Sequence, residues 1–127
     1  MLYVALVFAG LAALLHVYIF VLESVRWEAP ATREVFGTTP EIAAATRPLA
    51  FNQGFYNLFL GIVTALGIGL AGADRHVSVT LVCTGTGSML AAALVLVLSD
   101  RTKARAAVVQ GAFPLICLLD LFVWSFQ

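Results

Sequence analysis

The side chains that could do chemistry in this chain are few and lie at similar depth. His16 and Glu23 are seven residues apart, and at 3.6 residues per turn that spacing returns almost to the same face of a helix. An imidazole and a carboxylate form an acid/base set, and a separation of about 10 Å along the axis keeps them from touching while leaving room for a ligand between them. Trp27 continues the stripe one turn later. Farther along, Asn52 lies one turn from Tyr56 and Gln53 one turn from Asn57, which makes two adjacent polar ridges. Gln110 stands one turn before Pro114. The pattern predicts that His16, Asn52, Gln53, Tyr56, Asn57 and Gln110 face one cavity inside a helical bundle, because polar groups at membrane depth are costly to turn toward hydrocarbon.

Two readings of this layer stand side by side. In one it is a binding pocket, with His16 and Glu23 exchanging protons and Trp27, Asn52, Gln53, Tyr56, Asn57 and Gln110 holding a ligand. In the other the amides and the imidazole bond one helix to the next, each contributing about 0.6 to 2 kcal/mol. Glu23 has an ordinary reading of its own: with Arg26 three residues on, it can reach headgroup water near a helix end.

The elements that must position these groups follow from composition. The chain has 127 residues, of which 61% are hydrophobic and 11% charged, far from the soluble balance of about a quarter charged. A hydrocarbon core roughly 30 Å thick needs about 20 apolar residues per helix. Four such runs, at about 2–27, 49–71, 77–98 and 104–124, take up most of the sequence, and the expected organisation is a single domain over 1–127. The first run lacks the basic start and small-residue cleavage site of a signal peptide, so it reads as a retained span. The connections at 72–76 and 99–103 are short, which makes consecutive helices antiparallel neighbours. The expected fold is all-α, an integral membrane up-down four-helix bundle.

The longest polar segment, 28–48, reads as a cytoplasmic loop. Within it Thr38 followed by Glu41 resembles a capping box with Pro40 in the first turn. Two courses are open from there: a helix running on through Pro48 into the second span, or a separate turn with a fresh start at Pro48. Small residues at four-residue spacing, Gly61, Ala65 and Gly69 on the second span and Thr84, Ser88 and Ala92 on the third, read as interior seams. Gly85, Thr86 and Gly87 lack the rest of a dinucleotide loop and also read as packing.

Several function classes fall away. Formal charge is zero and no basic tract is present, which removes the electrostatic term of nucleic-acid binding. No cofactor motif occurs, and no His, Cys or carboxylate cluster has metal-ligand spacing, so no metal is expected. Cys83 and Cys117 fall at similar depth and read as small packing residues rather than a disulfide. Asp120, outside the polar layer, reads as a structural or surface group. Tyr3, Trp124 and Phe126 suit one membrane interface and Trp27 the other.

These residues also carry a resemblance. His16, Tyr18, Ile19, Phe20, Leu22, Glu23 and Trp27, then Val35, Phe36, Gly37, Thr39, Pro40 and Glu41, then Asn52, Gln53, Gly54, Tyr56, Asn57, Phe59 and Leu60, with Gln110 and Pro114, are similar to the signature of small four-span bacterial and fungal membrane proteins catalogued as domain of unknown function 1304. Pro48 departs from that pattern. The resemblance implies the four-span fold and no particular reaction. The combined expectation is a multi-pass protein of the plasma membrane, the bacterial inner membrane, with the lipid bilayer as its surroundings and a lipophilic small molecule as ligand. The alternatives are a structural or assembly subunit, with room for a homo-oligomer, and a small transporter or channel subunit; one half of the membrane is almost free of polar residues, which argues against a channel.

Charge orients the molecule. Arg26, Arg33 and Arg47 lie in or beside the first loop, Arg101, Lys103 and Arg105 in or beside the third, and Arg75 alone beside the second. Cytoplasmic loops are the ones enriched in Lys and Arg, so both termini are expected outside. A cysteine placed at Thr38 should react with an impermeant maleimide only after cells are permeabilised. Rapid labelling on intact cells would reverse the orientation.

Overall fold

Prolines and glycines decide where this chain starts and stops its helices. The computed structural model describes residues 1–127. Helix α1 (Leu2–Phe20) passes directly into a π-helical turn, Val21–Val25. A short helix α2 (Pro30–Phe36) follows, then α3 (Pro40–Gly69), α4 (Arg75–Ser99), a 3-10 turn (Arg101–Lys103) and α5 (Ala104–Trp124). Four of these segments are long and apolar enough to cross a bilayer. In the bundle α1 packs against α3 and α5, α4 packs against the same two, and α1 and α4 scarcely meet across the centre. The result is the all-α four-helix arrangement that the apolar runs predict.

The segment expected as a loop is more ordered than that. Pro30 has no N–H to lose in a first helical turn, and it holds Ala29 in extended backbone at φ −63° and ψ 141°. Gly37 ends α2 at φ 63°, the left-handed geometry that glycine adopts without a Cβ penalty. The next proline then decides the cap. Pro40 keeps Thr39 extended, and the Thr39 hydroxyl accepts from the Ile42 N–H at 3.3 Å. The cap is therefore Thr39 and not Thr38. From there α3 runs unbroken through Pro48 to Gly69, so the second span is the far part of one 30-residue helix.

The later connections are capped by carboxylates. Asp74 accepts from the Val77 N–H at 3.0 Å at the start of α4. Asp100 accepts from the hydroxyl and the N–H of Thr102, and these bonds hold its carboxyl below the usual carboxylate range.

Of the four-residue stripes expected, only Gly61 lies on a seam, which otherwise follows other small residues. On α3 the buried positions are Ala43, Ala50, Gly54, Gly61, Thr64 and Gly67, and on α4 they are Ser78, Val82, Gly85, Thr86, Met89 and Ala93. Ala65, Gly69, Thr84, Ser88 and Ala92 are exposed instead. A strict step of four overshoots a 3.6-residue turn by about 40° each time, whereas alternating threes and fours stay on the contact line. Added Cβ atoms at the buried glycines show how close the backbones come: one at Gly61 would lie 3.2 Å from the Ala13 carbonyl oxygen, and one at Gly85 would strike the Thr64 hydroxyl. Gly85 and Thr86 thus serve as packing residues. At the opposite end from α2, Ala5, Ala9, Val82, Cys117 and Leu121 form a buried cluster, with both cysteines as free thiols.

Two glycines two residues apart separate contact from exposure. A Cβ on Gly67 would sit 2.9 Å from the Val82 backbone nitrogen, while one on Gly69 meets nothing within 4 Å. Gly67→Ala should lower unfolding stability in mild detergent by about 1 to 3 kcal/mol. Gly69→Ala should be neutral or raise it by about 0.5 to 1 kcal/mol, through the lower conformational freedom of the unfolded chain. Equal effects at the two positions would contradict the seam described here.

Candidate functional site

The π turn at the end of α1 is where the polar groups converge. A π turn closes i to i+5 instead of i to i+4 and recurs at functional positions; here the Arg26 N–H donates to the Val21 carbonyl at 2.9 Å. It lies against Gly54 of α3. A Cβ there would strike the Ser24 hydroxyl and come within 3.0 Å of the Ser24 nitrogen, so only glycine lets the two backbones approach this far.

Three side chains fasten that contact. Ser24 donates through its hydroxyl to the Phe51 carbonyl at 2.8 Å, across 27 residues of chain. Glu23 accepts from the side-chain amide of Asn57 at 2.9 Å. The same Asn57 nitrogen lies 3.2 Å from the Gln53 carbonyl of its own helix, which aims the amide toward α1. Trp27 completes the junction: its indole N–H lies 3.1 Å from the Ala43 carbonyl and 3.2 Å from the Thr46 hydroxyl, and its ring centroid is 5.0 Å from that of Phe36. One indole thereby ties the π turn to α3 and packs α2 over both.

Beside this junction is a cavity of about 310 Å³, whose lining includes Glu23, Ser24, Arg26, Trp27, Glu28 and Arg47. Arg47 Nη1 is 3.7 Å from Glu28 Oε2 at its exposed rim. Such a volume lies near the lower end of small-molecule sites, about 300 to 1,000 Å³. Glu23 and Trp27, of the residues singled out in the sequence, line it. Ser24, Glu28 and Arg47 were not singled out as site residues, although Ser24 and Glu28 flank two that were.

The other expected residues are distributed differently. His16 is fully buried, with Nδ1 2.9 Å from the Ala12 carbonyl one turn back in its own helix, and it does not line the cavity. The seven-residue spacing that aligned it with Glu23 assumes α-helical phase throughout, and the π turn breaks that phase. Asn52, Gln53 and Tyr56 do not face the interior: all three are exposed, Tyr56 to 63%. Asn52 and Tyr56 are each two residues from the buried Gly54 and so lie about 200° around the helix from it. Asn57, three residues from Gly54, is the one member of the two ridges that turns inward. Gln110 is half-buried beside Gly111 and makes no side-chain hydrogen bond to the groups around Glu23. The single layer expected from depth is therefore a Glu23, Asn57 and Trp27 junction, a separate buried His16, and an outward-facing polar ridge. Asp120 lies elsewhere on α5, with Oδ2 buried and without a hydrogen-bond partner.

Comparison with known proteins places this arrangement in a family. The family model described as protein of unknown function (DUF1304) matches residues 10–122, which include the whole junction, and the chain belongs to that family. No curated protein and no solved structure matches it significantly.

Proposed function

We propose that this multi-pass membrane protein binds a lipophilic or amphipathic small molecule at the inner-leaflet end of its first span, in the cavity beside Glu23. The observation that carries this reading is the π turn: it sets a carboxylate, a hydroxyl and an indole at one junction, and each is held by a partner on α3. Locked side chains on rigid helices next to a cavity are what a specific site requires. Binding is favoured over acid/base conversion by the pair Glu23 and His16, because His16 lies apart with one ring nitrogen at the Ala12 carbonyl. The plasma membrane, with α2 on the cytoplasmic side and both termini outside, is the orientation that the basic loops support.

A second reading has an observation of its own. Asn52, Gln53 and Tyr56 present polar groups on the outer face of α3, and an amide exposed there suits a hydrogen bond to a neighbouring helix. In that reading the chain is a structural or assembly subunit.

The two separate on purified protein. Extraction in native lipid followed by mass spectrometry should find a small molecule bound to the wild-type chain and lost from Asn57→Ala, while Asn52→Leu keeps it. Asn57→Ala should also melt lower, by an amount in keeping with about 0.6 to 1.7 kcal/mol for one interhelical bond. A wild-type chain that carries nothing, or an Asn57→Ala chain that keeps its companion, would overturn the binding reading.

A further inference from the structure

The charges that line the cavity differ in depth. At its rim Glu28 and Arg47 lie beside each other and offset one another, and Arg26 is exposed there too. Glu23 has no such cationic partner. Its Oε2 accepts from the neutral Asn57 amide, and its Oε1 accepts from no protein donor.

Backbone acceptors lie near Glu23. The last N–H of the π turn's ladder goes from Arg26 to Val21, so the carbonyls of Leu22, Glu23, Ser24 and Val25 receive no backbone N–H. Three of those residues line the cavity. A helix C-terminus is also the negative end of its dipole, equivalent to roughly half an electronic charge. A carboxylate without a cationic partner, beside a helix end whose carbonyls lack backbone donors, suits a group that carries positive charge and several N–H donors.

The order of charges along the membrane normal narrows the ligand further. Glu23 precedes Arg26 by three residues, about 4.5 Å of helix, and is the deeper of the two in the span. The arginines stand at the rim. A zwitterionic phospholipid in the same leaflet carries its phosphate nearest its tails and its ammonium outermost, the reverse of what this lining would match. A ligand whose ammonium joins the apolar body directly puts its cation at Glu23. Aromatic rings flank the junction without lining the cavity: Phe51, whose carbonyl takes the Ser24 bond, lies 5.0 Å from Phe55, with Phe20 5.1 Å and Phe59 6.2 Å from Phe55. Phe51 and Phe59 are about half exposed, on the side that meets lipid.

We infer that the ligand is a lipophilic amine, its protonated nitrogen held by the Glu23 carboxylate at the end of the first span and its apolar body extending toward the bilayer. The inference rests on the reading of this cavity as a ligand site. Glu23 then acts as the counter-ion that selects the headgroup, and Asn57 as the positioning residue that keeps the carboxylate turned to the cavity.

The test uses the whole chain in phosphatidylcholine nanodiscs and three probes of equal tail length: dodecylamine, dodecanol and dodecyl phosphate. Heats are measured by titration, with empty nanodiscs subtracted to remove partitioning. Dodecylamine should bind saturably to the wild type and about tenfold or more weakly to Glu23→Gln, while Glu23→Asp, which keeps the charge, should stay within a few-fold. Dodecanol and dodecyl phosphate should show no saturable phase. The comparison of probes on the wild type stands even if a variant fails to fold. Saturable binding of dodecyl phosphate or dodecanol as tight as the amine would overturn the amine assignment and leave the cavity as a ligand site. An unchanged amine affinity in Glu23→Gln would overturn it too. Absence of saturable binding by all three probes, together with no co-purifying molecule, would overturn both this inference and the reading on which it rests.

Discussion

The hydrogen bond between Asn57 and Glu23 is the constraint from which the π-turn end of this bundle follows. A carboxylate near the end of a membrane span must be satisfied by a partner, by water or by a cation, because hydrocarbon offers none. Here the partner comes from α3 at 2.9 Å, and that single bond fixes which faces of α1 and α3 meet. The Ser24 bond to Phe51 and the Trp27 bonds to α3 then fall into place on either side of it. Such bonds are modest individually, about 0.6 kcal/mol on average between membrane helices. Their clustering at one junction gives precision of placement rather than bulk stability.

Glycine is the other half of the constraint. Lipid tails are as apolar as leucine, so there is no solvent-driven gain in burying one helix against another, and contact depends on close approach and good packing. Gly54 allows it at the π turn, where any Cβ would strike Ser24. Gly61 and Gly85 allow it farther along the seams. The bundle is thus held by van der Waals contact over most of its length and by directional polar contact at one end.

Much of the fold was legible in the sequence because hydropathy and charge act over long stretches. Four apolar runs and two short connections suffice for an antiparallel bundle. The helix ends were less legible where two signals competed: Pro40 overrode the Thr38 capping pattern by forcing Thr39 out of helical geometry, and Pro30 with Gly37 bounded a helix inside a segment that looked like loop. The site was partly legible. The helical stripe from His16 named Glu23 and Trp27, and membrane depth named Asn57, but depth carries no information on azimuth, so Asn52, Gln53 and Tyr56 were grouped with Asn57 although they point away. The π turn was invisible to any periodic reading, and it is what parts Glu23 from His16. Arg47, counted in the sequence only among the basic residues of the first loop, reaches the lining through tertiary packing.

Glu23 and Asn57 act together between the π turn and α3, and a double-mutant cycle measures that coupling directly. Unfolding free energies of the wild type, Glu23→Ala, Asn57→Ala and the double variant, taken in one detergent, give the coupling without assigning a value to either residue alone. A hydrogen bond between membrane helices predicts a coupling of about 0.6 to 1.7 kcal/mol. Losses that add to within about 0.5 kcal/mol would show two independent residues and contradict the account.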